Sequence, residues 1–354
     1  MSLVPILLVG GSGTVGRWTA RFLRAAHPSV PLLIGGRDLA EAARAAEMSG
    51  AQGVALDLTA EDLGLGERLV SAVAVLFTDE RVATLRFAQA RGVPHLSISP
   101  GIGELGPEVA AYIHRPQAAP VVLGTEWLVG AMTVPTLEFA QAFGRVHDII
   151  IGALLDEQDA FGPAAEADLE RQTKTLPAAL ARRDGAYVWR VGDEAQTTFR
   201  AVDGTEMAAS AFSPYDVVGL ATATGAPNVQ FNLALGVSST GRCGEPLSTE
   251  ILIELAGEDP AGRPLRTRHA VVHSQGQMPL TGLGVAMVLE RLLGLDGQPA
   301  VPAGLYFPYQ LLDYTTYFAR PEADGRLGTA AGGFLMRVEP AALLGASDEA
   351  LICR

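Results

Sequence analysis

The clearest chemistry lies near the N-terminus, in Gly11-Ser12-Gly13-Thr14-Val15-Gly16, which fits the pattern G-x-G-x-x-G. The short apolar run Ile6 to Val9 precedes it and reads as a parallel strand buried on both faces. Arg17 to Ala26 follow with helical spacing, so that Trp18, Phe22 and Leu23 share one face. The glycines therefore sit between a strand and a helix. There Gly11 serves a tight turn, Gly13 lets backbone approach a pyrophosphate, and Gly16 lets the helix pack close. Ser12, Thr14 and Val15 complete a loop whose free N–H groups face phosphate charge. The chemistry implied is dinucleotide binding; a glycine-rich turn without a ligand is the plainer alternative.

The carboxyl ends of the following strands are the other places for chemistry. Arg37 follows the second strand, where an adenosine ribose falls, and its planar fork suits the 2′-phosphate of NADP. Asp38 beside it keeps NAD open. Asp57 after the third strand is a candidate for the adenine amino group, or a loop cap. Thr78 and Asp79 follow the fourth strand and Glu126 the sixth; the two carboxylates are candidates for a catalytic proton relay, or caps of loop and helix starts. His95 precedes its strand and is set aside. Arg242 could bind a substrate carboxylate or serve a turn. His269 and His273 read as one strand, about 13 Å apart, too far to chelate one ion as a pair. No metal site is expected. Lys174 is the sole lysine, and Glu170 stands four residues before it, so there is no Tyr-x-x-x-Lys pair. A G-x-S-x-G nucleophile elbow is also missing.

Alternating strands and helices position these groups. Strands are expected near Pro31–Gly35, Gly53–Leu58, Ala72–Phe77, Pro94–Ser99 and Pro120–Leu123, with helices between them, one of them over Asp62–Ala72. That alternation is an α/β, Rossmann doubly wound parallel sheet. The pattern changes near residue 146. A strand over His147–Asp156 is followed by a helical stretch, Phe161 to Ala181, and a hairpin of Tyr187–Val191 with Thr197–Val202. A capping box, Ser213-x-x-Asp216, opens a helix to Thr224, and three more strands follow. The expected division is a dinucleotide-binding domain over 1–124, an inserted α+β domain over 125–278 for substrate and dimerisation, and a return segment over 279–354. The inserted domain has several apolar strands and few helices, which predicts a homodimer through it.

Composition narrows the partners. The 354 residues are 48% hydrophobic and 18% charged, a globular profile. A net charge of −13 argues against nucleic acid and anionic membranes. No long uncharged apolar run suggests a membrane span, and the N-terminus lacks the basic start of a signal peptide. Cys243 and Cys353 are far apart and suit a reduced, cytoplasmic protein. The expected partner is a small-molecule substrate.

The chain resembles the saccharopine dehydrogenase-like (saccharopine reductase) family. The likeness rests on residues 9–16, on Ile34-Gly-Gly-Arg-Asp38, on Gly284-Val-Ala-Met-Val-Leu-Glu-Arg-Leu-Leu-Gly294, and on Pro302-Ala-Gly-Leu-Tyr-Phe-Pro308. The resemblance implies a Rossmann domain with an inserted α+β domain. It also implies NAD(P)-linked oxidation or reduction at a carbon–nitrogen bond of an amino-acid-like substrate. The chain departs from that family at Thr78-Asp79-Glu80, where a small glycine-containing turn is usual, and at Gly124-Thr-Glu-Trp127. Those departures leave saccharopine itself doubtful and keep a non-catalytic NADP-binding sensor or assembly protein as the alternative.

Overall fold

A computed structural model describes residues 4–98, 101, 105–159, 162, 166–167, 170, 178–323 and 334–340, the stretches 320–323 and 334–340 by backbone alone. The chain forms two compact units. One comprises Met1–Ala131, Phe161–Arg171 and Met278–Asp313, the other Met132–Ala160, Gln172–Gln277 and Tyr314–Arg354.

The first unit is a parallel sheet. Its strands are β1 (Ile6–Val9), β2 (Leu32–Gly36), β3 (Gln52–Ala55), β4 (Ala72–Val75), β5 (His95–Ser97) and β6 (Pro120–Leu123). Helices α1 (Thr14–Ala26), α2 (Leu39–Glu47), α3 (Ala83–Arg91) and α4 (Leu105–Ile113) alternate with them. A seventh strand, β15 (Gly304–Tyr306), pairs in parallel with β6. The order is β15-β6-β5-β4-β1-β2-β3. This is Rossmann winding, with its switch point between β1 and β4. All four residues of β1 are buried. Leu7 and Val9 share one face of that core with Leu33, Val73, Val75 and Phe87. Each such side chain stabilises the sheet by about 1.5–3 kcal/mol.

The helix expected over Asp62–Ala72 does not form; the segment runs in turns until β4 begins. Asp62 explains the difference, because its carboxylate accepts from the N–H of Gly64 (2.9 Å) and of Gly66 (3.0 Å). That side chain offers the backbone an alternative to the helical ladder. Leu63 and Leu65 then pack beside Phe87 and Ala88 of α3. The long helix Gln277–Leu293 contains the expected Gly284–Leu293 pattern. A Cβ on Gly284 would lie 2.4 Å from the Val129 carbonyl oxygen, so only glycine permits that approach.

The second unit is built on a mixed sheet. Its strands are β7 (Arg145–Asp156), β8 (Ala179–Arg183), β9 (Ala186–Arg190), β10 (Gln196–Arg200), β11 (Glu206–Ala211), β12 (Asn228–Gly236), β13 (Thr249–Glu258), β14 (Pro264–His273) and β16 (Phe334–Pro340). The main path is β10-β11-β12-β7-β13-β14-β16, with β8 and β9 branching from β12. Among its described residues only β7 and β12 pair in parallel. Phe199 of β10 packs over Leu154 and Leu252, filling the space above Gly152.

Two local expectations are corrected here. Tyr187–Val191 does not pair with Thr197–Val202. Instead β8 pairs with β9, and β10 with β11. The cause is Asp184-Gly185, with φ of 51° and 80°. An Asp-Gly pair in this conformation is a two-residue hairpin turn, and it closes β8 onto β9. Ser213 does not cap the next helix, which runs Asp216–Thr224 without a side-chain cap. The Asp216 carboxylate instead accepts from the Thr133 hydroxyl at 2.5 Å. Lys174 and most of the helix expected over Phe161–Ala181 lie outside the described residues, and its described end is strand β8.

Candidate coenzyme and catalytic site

The glycine loop leaves β1 and enters α1 within a few residues. The left-handed turn falls at Gly10 (φ +79°), one residue earlier than the sequence pattern assigns it. A side chain there would also meet the Phe77 ring at 2.8 Å. A Cβ on Gly16 would lie 2.5 Å from Gly11 backbone, so the start of α1 is pressed onto the loop. On Gly13 the surroundings are open, with only the Gly10 carbonyl oxygen at 3.3 Å. Gly13 is the N-cap of α1; among the described residues no side chain caps the helix, and its first turn holds no acid. The amides of the first turn, from Thr14 to Gly16, keep their partial positive charge without an internal acceptor from a side chain. This is a cradle that fits a pyrophosphate, with Thr14 exposed and Ser12 half-buried beside it.

At the end of β2 the two neighbours differ. Asp38 caps α2, its Oδ1 accepting from Ala40 N (2.8 Å) and Glu41 N (3.1 Å). Arg37 is exposed and makes no side-chain hydrogen bond or ion pair among the described residues. Asp57, also exposed, follows β3. Its Oδ1 accepts from the Thr59 N–H (2.8 Å) and hydroxyl (2.6 Å), contacts that hold its carboxyl below the usual range.

Beyond β4, Thr78 is half-buried and Asp79 is turned inward. Asp79 Oδ1 accepts from Arg81 N (3.1 Å), and Oδ2 from Thr84 N (2.8 Å) and the Thr84 hydroxyl (2.7 Å). Both oxygens thus serve the start of α3. The Thr84 hydroxyl also lies 3.2 Å from His95 Nε2. Because it donates to Asp79, it accepts from His95, which fixes the Nε2–H tautomer. Burial depresses the His95 pKa to about 4, so the ring is neutral. On the same strand Ser97 donates to Glu108 (2.9 Å), whose pKa burial pushes up to about 7.

Glu126 lies beyond β6 and is 2% exposed. Its turn is strained: Leu128 and Val129 have φ of 53° each, a region rare for branched residues. β15 runs parallel to β6 with Tyr306 beside Val122, so the residues after both strands emerge at one edge. Tyr309 emerges there, and its pKa is raised, first by burial and then by the Glu126 charge. The edge therefore carries a buried carboxylate beside a protonated phenol. Tyr309 was not singled out in the sequence; the parallel pairing of β15 with β6 reveals it.

The second unit has its own dense polar edge. Arg242 forks onto Asp203, with Nε to Oδ2 at 2.7 Å and Nη2 to Oδ1 at 2.8 Å. Burial works to raise the Asp203 pKa, but the Arg242 fork and Thr205 hold it at about 2. Arg242 is thereby committed to an internal carboxylate, which is the turn role rather than the substrate role. Glu250 is fully buried and accepts from Val202 N (2.9 Å), Ser239 N (2.5 Å) and the Ser239 hydroxyl (2.9 Å). Asp156 accepts from Ser238 N at 2.7 Å. His269 and His273 share β14 but are buried rather than surface residues. His269 stacks on Phe139 with centroids 3.8 Å apart, and His273 Nδ1 lies 3.1 Å from the Gly276 carbonyl. Among the described residues no group of three or more His, Cys, Asp or Glu side chains is placed to hold a metal, and no helix is long and apolar enough to cross a membrane.

The parallel sheet, its strand order and the glycine loop define a Rossmann-type fold. More particularly, the chain is similar in structure to apo saccharopine dehydrogenase (L-Glu forming) from Saccharomyces cerevisiae. The TM-score is 0.63 at 14% identity, covering 95% of this chain and 100% of that one. A myo-inositol dehydrogenase from Corynebacterium glutamicum is also similar (TM-score 0.44, 15% identity, 96% and 100% covered). So is GenD2 from gentamicin A biosynthesis in complex with NAD (0.46, 15%, 96% and 97%). These last two scores are too low to carry an argument, and at such identities the likeness shows the fold alone. No protein-family model and no curated protein matches the chain in sequence.

Proposed function

We propose that the chain is an NADP-dependent oxidoreductase acting at a carbon–nitrogen bond of a small amino-acid-like substrate. The observation that carries this reading is the contrast at the end of β2. Asp38, the carboxylate that would serve an NAD ribose, is spent on capping α2, while Arg37 is uncommitted. The bare start of α1 supplies the pyrophosphate site through Gly11, Ser12, Gly13, Thr14, Val15 and Gly16. The bound nicotinamide would supply or accept the hydride. Glu126 would hold the accompanying proton, and Tyr309, kept protonated, would donate a hydrogen bond at the same edge. Asp79 is assigned a positioning role for the β4–α3 loop rather than a proton relay.

Titration of both coenzymes into wild type and Arg37→Ala tests the coenzyme. A hydrogen bond to a charged group contributes about 1.5–3 kcal/mol, so NADPH should weaken by roughly 10- to 150-fold and NADH much less. Tighter NADH binding by the wild type would overturn the assignment. The commitment of Asp79 to α3 favours a second reading, a non-catalytic NADP-binding sensor. A screen of amino acids and keto acids with NADPH separates the two. Turnover that falls in Glu126→Gln while NADPH affinity holds supports the enzyme.

The second unit also bears on assembly. Among the described residues strand β9 pairs only with β8; Tyr187 and Trp189 are 46% and 48% exposed at alternate positions along it, and Val191 just beyond its end is 52% exposed. Such a face on an open edge suits a symmetric pairing, and we infer a homodimer through it. A monomer mass by light scattering at micromolar concentration would reject that assembly.

A further inference from the structure

The β4–α3 loop carries an arginine that the coenzyme reading leaves unused. Arg81 is exposed and makes no side-chain hydrogen bond or ion pair among the described residues. Two other arginines of the unit are spent internally. Arg24 donates to Ser49, Pro28, Val30 and Gly50 carbonyls, and Arg91 to the Gly66 carbonyl at 2.5 Å. In a chain of net charge −13, Arg37 and Arg81 are uncommitted cations on loops at the carboxyl edge of one sheet.

Their loops border the same part of that edge. Arg81 stands two residues before α3, and Asp57 follows β3. The segment beyond Asp57 runs across to α3, where Leu63 and Leu65 pack with Phe87 and Ala88. The Arg91 bond to Gly66 fastens it there. Those contacts lie on the C-terminal half of α3; at its N-terminal end, on the loop that flanks β1 opposite β2, the Arg81 charge adds to the Thr59 hydrogen bonds in holding the Asp57 carboxyl down. Thr59 occupies only Oδ1 of Asp57. Oδ2 has no hydrogen-bond partner among the described residues.

We propose that Arg81 is a second cationic wall of the adenosine end of the coenzyme site, acting on the adenine face and the 2′-phosphate, and that Asp57 positions it. A guanidinium both stacks on a flat π-system and pairs with phosphate, which an ammonium does not do together. The side chain of Asp57, fixed by Thr59, draws Arg81 toward the end of β3. The inference rests on the NADP reading and deepens it: coenzyme choice is shared between the β2 and β4 loops.

Calorimetric titration of 2′,5′-ADP and 5′-ADP tests it without turnover. The proteins are the wild type, Arg37→Ala, Arg81→Ala, Arg81→Lys and Asp57→Asn, all surface changes checked by melting temperature. Arg81→Ala should weaken 2′,5′-ADP by about 10- to 30-fold and 5′-ADP by roughly 3-fold, since stacking and charge are lost together in the first case. Arg81→Lys should recover the charge-dependent part and leave the 5′-ADP loss in place. Asp57→Asn should weaken 2′,5′-ADP severalfold in wild type and not at all in Arg81→Ala. Wild-type affinities in Arg81→Ala, with 2′,5′-ADP lost in Arg37→Ala, would overturn the role of Arg81 and leave the NADP reading standing. A wild type that binds 2′,5′-ADP no better than 5′-ADP would overturn both.

Discussion

Two edges of the molecule are rich in polar groups, and they are built to opposite rules. At the ends of β7 and β12, each carboxylate meets a donor inside the fold: Asp203 takes Arg242, Asp156 takes Ser238 N, and Glu250 takes three donors. At the ends of β1 and β2, among the described residues, the α1 amides have no side-chain acceptor and Arg37 no side-chain partner. Buried polar groups that are fully answered stabilise and specify a fold. Exposed donors left idle at a helix start and a strand end are held ready for an anion from outside. Polar density alone does not mark a functional site; unspent hydrogen-bonding capacity does.

The largest effect should come from opening the closed edge. Glu250→Ala leaves two backbone amides and a hydroxyl without their acceptor in the core, at about 3 kcal/mol or more. Thermal melting should show a fall of several degrees, with NADPH affinity unchanged below the transition. A loss of affinity without a loss of stability would blur the contrast between the edges.

Glu108 tests the same contrast through pH. Its ordinary pKa of 4.5 is raised to about 7 by burial, with Asp79 adding to the rise. The folded state therefore holds a proton that the unfolded state releases between these values. That contribution is full below about pH 4.5 and is lost as pH rises through about 7. Glu108→Gln should leave stability nearly unchanged at pH 4.5 and raise it at pH 8, on the order of 2–3 kcal/mol. Denaturant midpoints at the two pH values check the sign, and equal shifts at both would refute it.

A smaller effect separates the neighbours at the end of β2. Asp38→Ala removes the α2 cap and should cost about 0.5–2 kcal/mol of stability. The ratio of NADPH to NADH affinity should stay as in the wild type. A shift in that ratio would mean that Asp38 touches the ribose and that the two residues do not divide the work.

Much of the first unit was legible because its signals are local. The run Ile6–Val9, the glycines and the start of α1 state a strand, a turn and a helix within a dozen residues. Arg37 directly follows the end of β2, where counting along the chain places it. The failures have physical causes. Asp62 carries no obvious mark of a helix breaker, yet its two backbone bonds divert the chain into turns. The Asp184-Gly185 turn was available in the sequence, but the aromatic run after it drew the pairing toward Thr197. Asp79 is chosen by Thr84, whose hydroxyl is five residues ahead and decides where the carboxylate faces. Tyr309 and Arg81 depend on which strand ends lie side by side, and spacing along the chain does not carry that information.

Gly10 and Phe77 have one more consequence, for how this chain tolerates change. The absent side chain of Gly10 is the space into which the Phe77 ring fits, so the phosphate loop and the β4 loop are matched parts. Neither loop is a free cassette. A β4 loop transplanted from a relative would need a flat ring or something smaller at position 77, or the glycine turn would be displaced. Drift in one loop is thereby filtered by the other, whereas a change at Arg37, exposed and without a side-chain partner among the described residues, leaves the packing of both loops intact.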